Sequence, residues 1–295
     1  MILVTGGTGF VGPKIVHALR ARGEPVRCLV RERTHASGAA AWGCELVEGD
    51  MTDPGSLRRA VEGVDTVIHL VAILAGKPED FRRIMEQGTR DLVAAATDAG
   101  VQRFVLMSAL GTDEQTKDLV PYFHAKWEME QAVKGSGIPY VIFRPSFVFG
   151  RDGGILKLFR RLARLTPVTP IAGSGKQRIQ PIWVDDVAEY FAAALGKPEA
   201  TGRTFELGGP DVVTWDEFWQ RWKRALRVRR PSVHVPLGLL RLQAPLLERL
   251  PSPPVTRDQL KMLDAGDNVV SNDDAVETFG LSLVPLDEQL RRAAA

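Results

Sequence analysis

An apolar run, Met1-Ile2-Leu3-Val4, passes directly into Thr5-Gly6-Gly7-Thr8-Gly9-Phe10-Val11-Gly12, in which Gly6, Gly9 and Gly12 recur at every third position. Phe10, Val11, Ile15, Val16 and Leu19 then follow helical spacing. Such a beginning constrains the chain to a strand, a tight turn and a helix. Gly6 turns the chain off the strand, Gly9 leaves room for a pyrophosphate to approach backbone N–H groups, and Gly12 lets the helix pack close to the sheet. Unpaired N–H groups and the positive end of the helix dipole attract phosphate. A dinucleotide site is therefore expected, with Phe10 and Val11 among its residues.

The pattern that follows alternates. Strands are expected at 25–30, 45–47, 66–71, 103–107 and 140–143, with helical segments between them. Connections of that kind are crossovers, so the sheet is parallel and the fold α/β, a doubly wound Rossmann sheet. Residues 1–150 are expected to form this domain, with 178–208 returning to it. Residues 151–177 and 209–295 are expected to form a smaller, mostly helical substrate domain. There the sequence suggests a basic helix at 156–165, a strand at 179–183, an alanine-rich helix after Asp185-Asp186 and a strand at 204–207. Thr214 reads as the N-cap of a helix whose Trp215, Phe218, Trp219 and Trp222 form a core face. The leucine-rich stretch 235–250, broken by Arg241, Pro245, Glu248 and Arg249, is too short and too charged to span a membrane. Packing within the small domain is its simplest reading; lying on a membrane or lining an apolar cleft are the alternatives.

Composition narrows the function. The 295 residues are 44% apolar and 25% charged, as in ordinary globular proteins, and the formal charge of +2 gives no nucleic-acid footprint. Arg227, Arg229 and Arg230 read as a solvated helix end. Cys28 and Cys44 make neither a disulfide framework nor a metal spacing and read as core thiols, and no metal is expected. The first strand leaves no room for a cleavable signal, which implies a cytoplasmic protein. Peripheral contact with a membrane or a protein partner stays open.

Arg31 follows the second strand and Arg33 lies close by, where an arginine can receive the 2′-phosphate of NADP(H). NADP(H) is accordingly preferred over NAD(H), although Glu32 offers a carboxylate for a ribose. Asp50 and Met51, after the third strand, are placed near the adenine; alternatively Asp50 only shapes its turn. His69 sits in an apolar strand and reads as a core or cofactor-flanking histidine. Ser108 stands at the carboxyl end of the fifth strand, where parallel sheets place ligands. Tyr122 and Lys126 are four residues apart on one helix face, and an ammonium beside a phenol favours the phenolate, which prepares it for proton exchange.

Gly6, Gly9, Gly12, Ser108, Tyr122, Lys126 and Arg144-Pro145, with Trp183-Val184-Asp185-Asp186-Val187-Ala188 and Leu207-Gly208-Gly209-Pro210, closely resemble the extended form of the short-chain dehydrogenase/reductase superfamily. Ser108-Ala109-Leu110-Gly111 and Arg144-Pro145-Ser146-Phe147-Val148-Phe149-Gly150 are most similar to the atypical group that includes the NADPH-binding accessory subunit of respiratory complex I. The resemblance implies that Tyr122 is the general acid/base, that Lys126 holds the nicotinamide ribose and lowers the Tyr122 pKa, and that Ser108 bonds the substrate oxygen. Val71 and Ala72 would line the cofactor, and Pro145 and Val148 would approach the nicotinamide. Two positions depart from the pattern. Ala109 stands at what would be the catalytic serine, and Met85 where relatives carry asparagine; Thr112 or Thr116 is the substitute hydroxyl. An NADP(H)-dependent oxidoreductase or epimerase acting on an unidentified carbonyl or secondary alcohol is expected. The alternative is a non-catalytic NADPH-binding or redox-sensing accessory protein of a respiratory or membrane-associated assembly.

Overall fold

The computed structural model describes residues 1–151, 153–248 and 256–295. Strand β1 (Ile2–Thr5) is buried at every position, as its lack of polar alternation requires. It is followed by β2 (Val26–Val30), β3 (Glu45–Glu48), β4 (Thr66–His69), β5 (Arg103–Met107) and β6 (Tyr140–Pro145). Together with Arg203–Leu207 these strands make one seven-stranded sheet in the order Arg203–Leu207, β6, β5, β4, β1, β2, β3. Every pairing in it is parallel. Thr5 is in register with Leu29 on one side and with His69 on the other, so the strand order reverses at β1. Ligands of such sheets bind beyond the carboxyl ends of the strands at this reversal.

The first helix (Gly12–Ala21) starts later than the apolar spacing suggests, because Phe10 and Val11 belong to the turn and Pro13 opens the helix. The helical pattern over 79–99 resolves into Pro78–Asp80, a π-helical stretch Phe81–Gln87 and an α-helix Gly88–Asp98.

Two compact units emerge. The first holds residues 1–145, 184–207 and 271–281; the second holds 146–183, 208–270 and 282–295. Residues 178–183 thus lie in the second unit and 271–281 in the first. The segment 179–183 is not one strand: Arg178–Ile179 pairs with Val213–Thr214, and Ile182–Trp183 with Val148–Phe149. Pro181, which has no N–H to donate, separates them.

In the second unit a capping box between Thr214 and Glu217 starts the helix Trp215–Ala225. Its Trp215, Phe218, Trp219 and Trp222 are buried, and the Phe159 ring lies 4.8 Å from that of Trp219. The leucine-rich stretch forms the helix Leu237–Leu247, but packing accounts for only part of it. Leu239, Leu242 and Leu246 remain 47%, 78% and 68% exposed on one face. Arg249 and Leu250 of that stretch lie outside the described residues. Among the described residues, no helix is long and apolar enough to cross a membrane.

Candidate functional site

The glycine turn is built by steric necessity. Gly6 has φ +75°, and a Cβ there would lie 3.1 Å from the backbone of Leu70 and Val71. At Gly12 a Cβ would fall 2.3 Å from the Gly6 carbonyl oxygen, so only glycine lets the helix begin against the turn. No side chain caps this helix and no acid lies in its first turn. Pro13 has no N–H, and Lys14 and Ile15 donate theirs to the Val11 carbonyl, so the N–H groups that can meet an anion such as a pyrophosphate are those of the turn before Pro13. Val71, half-buried beyond β4, borders the same turn, and Ala72 after it is half-buried as well.

Around the β2 end the two arginines differ. Arg33 Nε lies 4.0 Å from the Glu48 carboxylate, whereas Arg31 makes no ion pair among the described residues. Arg31 acts instead on Asp50. Burial pulls the Asp50 carboxyl up, but hydrogen bonds from Thr52 and the charges of Arg31 and Arg83 hold it below its ordinary value. Asp50 Oδ1 receives the Thr52 N–H at 2.9 Å and its hydroxyl at 2.7 Å, which shapes the turn. Met51 is buried beneath it. Arg31→Ala is expected to weaken NADPH binding by about tenfold to hundredfold, the value of a charge-assisted contact, and to leave NADH binding unchanged. Fluorescence titration with the two nucleotides measures this, and equal losses would remove Arg31 from phosphate recognition.

His69 is a core residue. Its Nδ1 lies 2.6 Å from Thr5 Oγ1 and its Nε2 3.0 Å from Thr89 Oγ1. Burial, and secondarily the Lys126 charge, push its pKa down to about 3, so the ring is neutral. Met85 is wholly buried, and its thioether accepts the Ile73 N–H at 3.5 Å. A methionine at this point thus satisfies a backbone donor.

The helix Pro121–Lys134 begins with proline and carries Tyr122, Lys126, Glu130 and Lys134 at successive spacings of four. Lys126 is buried and donates from Nζ to the Met107 carbonyl at 2.6 Å, which holds it at the carboxyl end of β5. Its Nζ lies 5.9 Å from the centre of the half-buried Tyr122 ring. Burial pushes the Lys126 pKa down to about 7, partly opposed by Glu130. Burial also raises the Tyr122 pKa above its ordinary value, contrary to the direction that a neighbouring ammonium alone implies. A lysine this close to neutrality supplies too little charge to overcome the desolvation of the phenolate.

Glu130 was not marked by any motif, although the four-residue spacing continues through it. It is fully buried and receives Arg144 Nε at 2.8 Å and Nη2 at 2.7 Å in a two-pronged pair, with Lys134 Nζ at 3.0 Å. Burial pulls its carboxyl up, but Arg144, Ser108 and Lys134 outweigh that and keep it ionised. The Ser108 hydroxyl is buried beside this carboxylate without a hydrogen bond of good geometry. Thr116 Oγ1 is occupied by Asp113 at 2.9 Å, whereas the Thr112 hydroxyl is buried without a partner. Thr112 is therefore the hydroxyl left over next to Ala109. Pro145 ends β6; Val148 lies in the second unit, in the strand Val148–Phe149.

A glycine turn at the reversal of a parallel sheet, followed by tyrosine and lysine on one helix, matches what known proteins show. Residues 2–208 match the NAD dependent epimerase/dehydratase family. The chain belongs to this family. A ceramide reductase of Caulobacter vibrioides is 31% identical over 255 residues, 86% of this chain and 74% of the relative. The mitochondrial NADH dehydrogenase (ubiquinone) 1 alpha subcomplex subunit 9 of Rattus norvegicus is 30% identical over 214 residues, 70% of this chain and 56% of the relative. The triphenylmethane reductase of Citrobacter sp., solved with NADP(H), superposes with a TM-score of 0.79 at 24% identity, covering 99% of both chains, which shows the shared fold. The family member described here is thus an extended short-chain dehydrogenase/reductase whose relatives include the complex I subunit.

Proposed function

We propose that this protein is an NADP(H)-dependent oxidoreductase in which Tyr122 exchanges a proton with a carbonyl or secondary-alcohol oxygen. The observation that carries the reading is Lys126, anchored on the Met107 carbonyl beneath the Tyr122 ring and buried with a pKa of about 7. Such a group can gain or lose charge near neutral pH as a ligand approaches.

The turn from Gly6 to Gly12 holds the pyrophosphate on uncapped N–H groups, and Arg31 takes the 2′-phosphate. When bound, the nicotinamide supplies the hydride that reduces the substrate carbon. Tyr122 gives its phenolic proton to the carbonyl oxygen as the C=O π bond breaks, leaving an alcohol and a phenolate that is reprotonated from solvent. Lys126 steadies that phenolate and reaches the ribose. Ser108, backed by Glu130, and Thr112 are the hydroxyls available to the substrate oxygen. A panel of aldehydes, ketones and quinones, followed by loss of NADPH absorbance, tests the reading; absence of turnover across the panel despite tight NADPH binding would oppose it.

A second reading is favoured by the leucine face of the Leu237–Leu247 helix, by Ala109 and Met85, and by the complex I relative. In it the nucleotide is a structural or redox-sensing ligand and the protein serves a membrane-associated assembly. Sedimentation with phosphatidylcholine and phosphatidylglycerol vesicles is then expected to pellet the protein, and Leu242→Asp to release it. Failure of the parent to pellet with either vesicle would remove the membrane part.

A further inference from the structure

The carboxyl end of β5 meets two side chains of the Tyr122 helix. The Met107 carbonyl receives Lys126 Nζ at 2.6 Å, and the buried hydroxyl of the next residue, Ser108, lies beside the Glu130 carboxylate. Lys126 and Glu130, four residues apart, are thus turned to the same strand end, and they are only 1% and 0% exposed. Burial drives an ammonium towards its neutral form, so the charges around Lys126 decide its state. The Tyr122 phenol and the His69 imidazole, which also face it, are uncharged at neutral pH. Glu86, on the π-helical stretch packed against this helix, lines a cleft with Pro121 and His124 on another side of it. Glu130 is the anion that acts on Lys126. It cannot turn away, because Arg144 of β6 grips its two oxygens at 2.8 and 2.7 Å and Lys134 adds a donor at 3.0 Å. Glu206 and Asp113 act in turn on Arg144.

On the reading that Lys126 reaches the nicotinamide ribose, we propose that Glu130 is its positioning residue: locked by Arg144, the carboxylate keeps Lys126 an ammonium and so sets the upper pH limit of tight NADP(H) binding. An ammonium has three donors, and with one on the Met107 carbonyl two are left for ribose hydroxyls. A neutral amine would bond them more weakly. Affinity is therefore full while Lys126 is charged and falls as pH rises through its pKa. Removing the anion brings that fall to lower pH. Removing a cation that competes with Lys126 for the anion, such as Lys134, brings it to higher pH.

Fluorescence titration of the full chain with NADPH, repeated from mildly acid to mildly alkaline pH, tests this without any turnover. The parent is expected to lose about tenfold to hundredfold in affinity across the range, the value of a charge-assisted contact. Glu130→Gln should move the midpoint about one pH unit towards acid, the low end of what an opposite charge does, and Glu130→Asp should restore most of it. Lys134 lies nearer the surface, at 31% exposure, so Lys134→Gln preserves the test should Glu130→Gln fail to fold; it should move the midpoint towards alkali. Lys126→Met should lack the fall. A parent-like fall in Lys126→Met would show that Lys126 does not hold the ribose, and so would sink the underlying reading. With that fall abolished, a parent midpoint or a uniform loss at every pH in Glu130→Gln, or a midpoint in Lys134→Gln that stays put or moves towards acid, would overturn the role given to Glu130.

Discussion

Tyr122→Phe should lower the rate of carbonyl reduction by about 10²- to 10⁴-fold, the usual contribution of a positioned acid/base. NADPH affinity should stay within about twofold of the parent, because the phosphates are held at the glycine turn and not by the phenol. The substitution removes one oxygen from a half-buried ring that packs on Phe123 at 5.9 Å, so folding should be preserved. Steady-state rates with a substrate from the carbonyl panel, alongside nucleotide titration, separate the two effects. An unchanged rate would mean that another group carries the proton, and a loss of NADPH affinity in step with the rate would mean that Tyr122 serves binding.

The second large effect is expected at Glu130. Glu130→Ala leaves Arg144 with its charge and without its carboxylate, and removing one member of a buried pair costs about 3–5 kcal/mol. Its folded pKa is lowered from the ordinary value of 4.5, so the stabilisation is complete above that value and is lost as pH falls through the folded pKa. Parent and variant should therefore differ most in urea unfolding near neutral pH and converge in acid. A difference that persists undiminished at low pH would mean that Glu130 contributes packing and not charge. The neighbouring Lys126 should respond as well, since Glu130 supports its charged form against burial.

Particular residues show why some of this was legible and some was not. Gly6 and Gly12 can be read because local sterics dictate them: a positive φ with close backbone at Gly6, and no room for a side chain at Gly12. His69 reads as a core or cofactor-flanking residue from its apolar neighbours, and the Trp215 helix from its spacing, since both follow burial patterns of a single element. The Glu130–Arg144 pair joins a helix to the strand β6, and its existence depends on how one lies over the other, which no local period encodes. The π-helical turn at Phe81–Gln87 was equally hidden, because a pattern of 3.6 residues per turn fits its apolar positions nearly as well. The direction of the Tyr122 shift departs from the sequence expectation for a related reason: spacing brings the ammonium near, but burial of both groups decides the outcome. The exposed Leu239, Leu242 and Leu246 show the converse, an apolar composition that packing within the unit does not absorb.

The account stands on Tyr122 becoming a usable acid/base once the nucleotide is in place, and ultraviolet pH titration measures this without a substrate. The chain has three tyrosines, so the parent minus Tyr122→Phe difference isolates one phenol. Without nucleotide, burial should keep its apparent pKa above the ordinary value of 10.0. With NADP⁺ bound, the cationic nicotinamide should pull it well below that value, towards neutrality. A phenol that titrates at the same high pH with and without NADP⁺ would contradict the proposed chemistry and leave the nucleotide as a structural or sensing ligand.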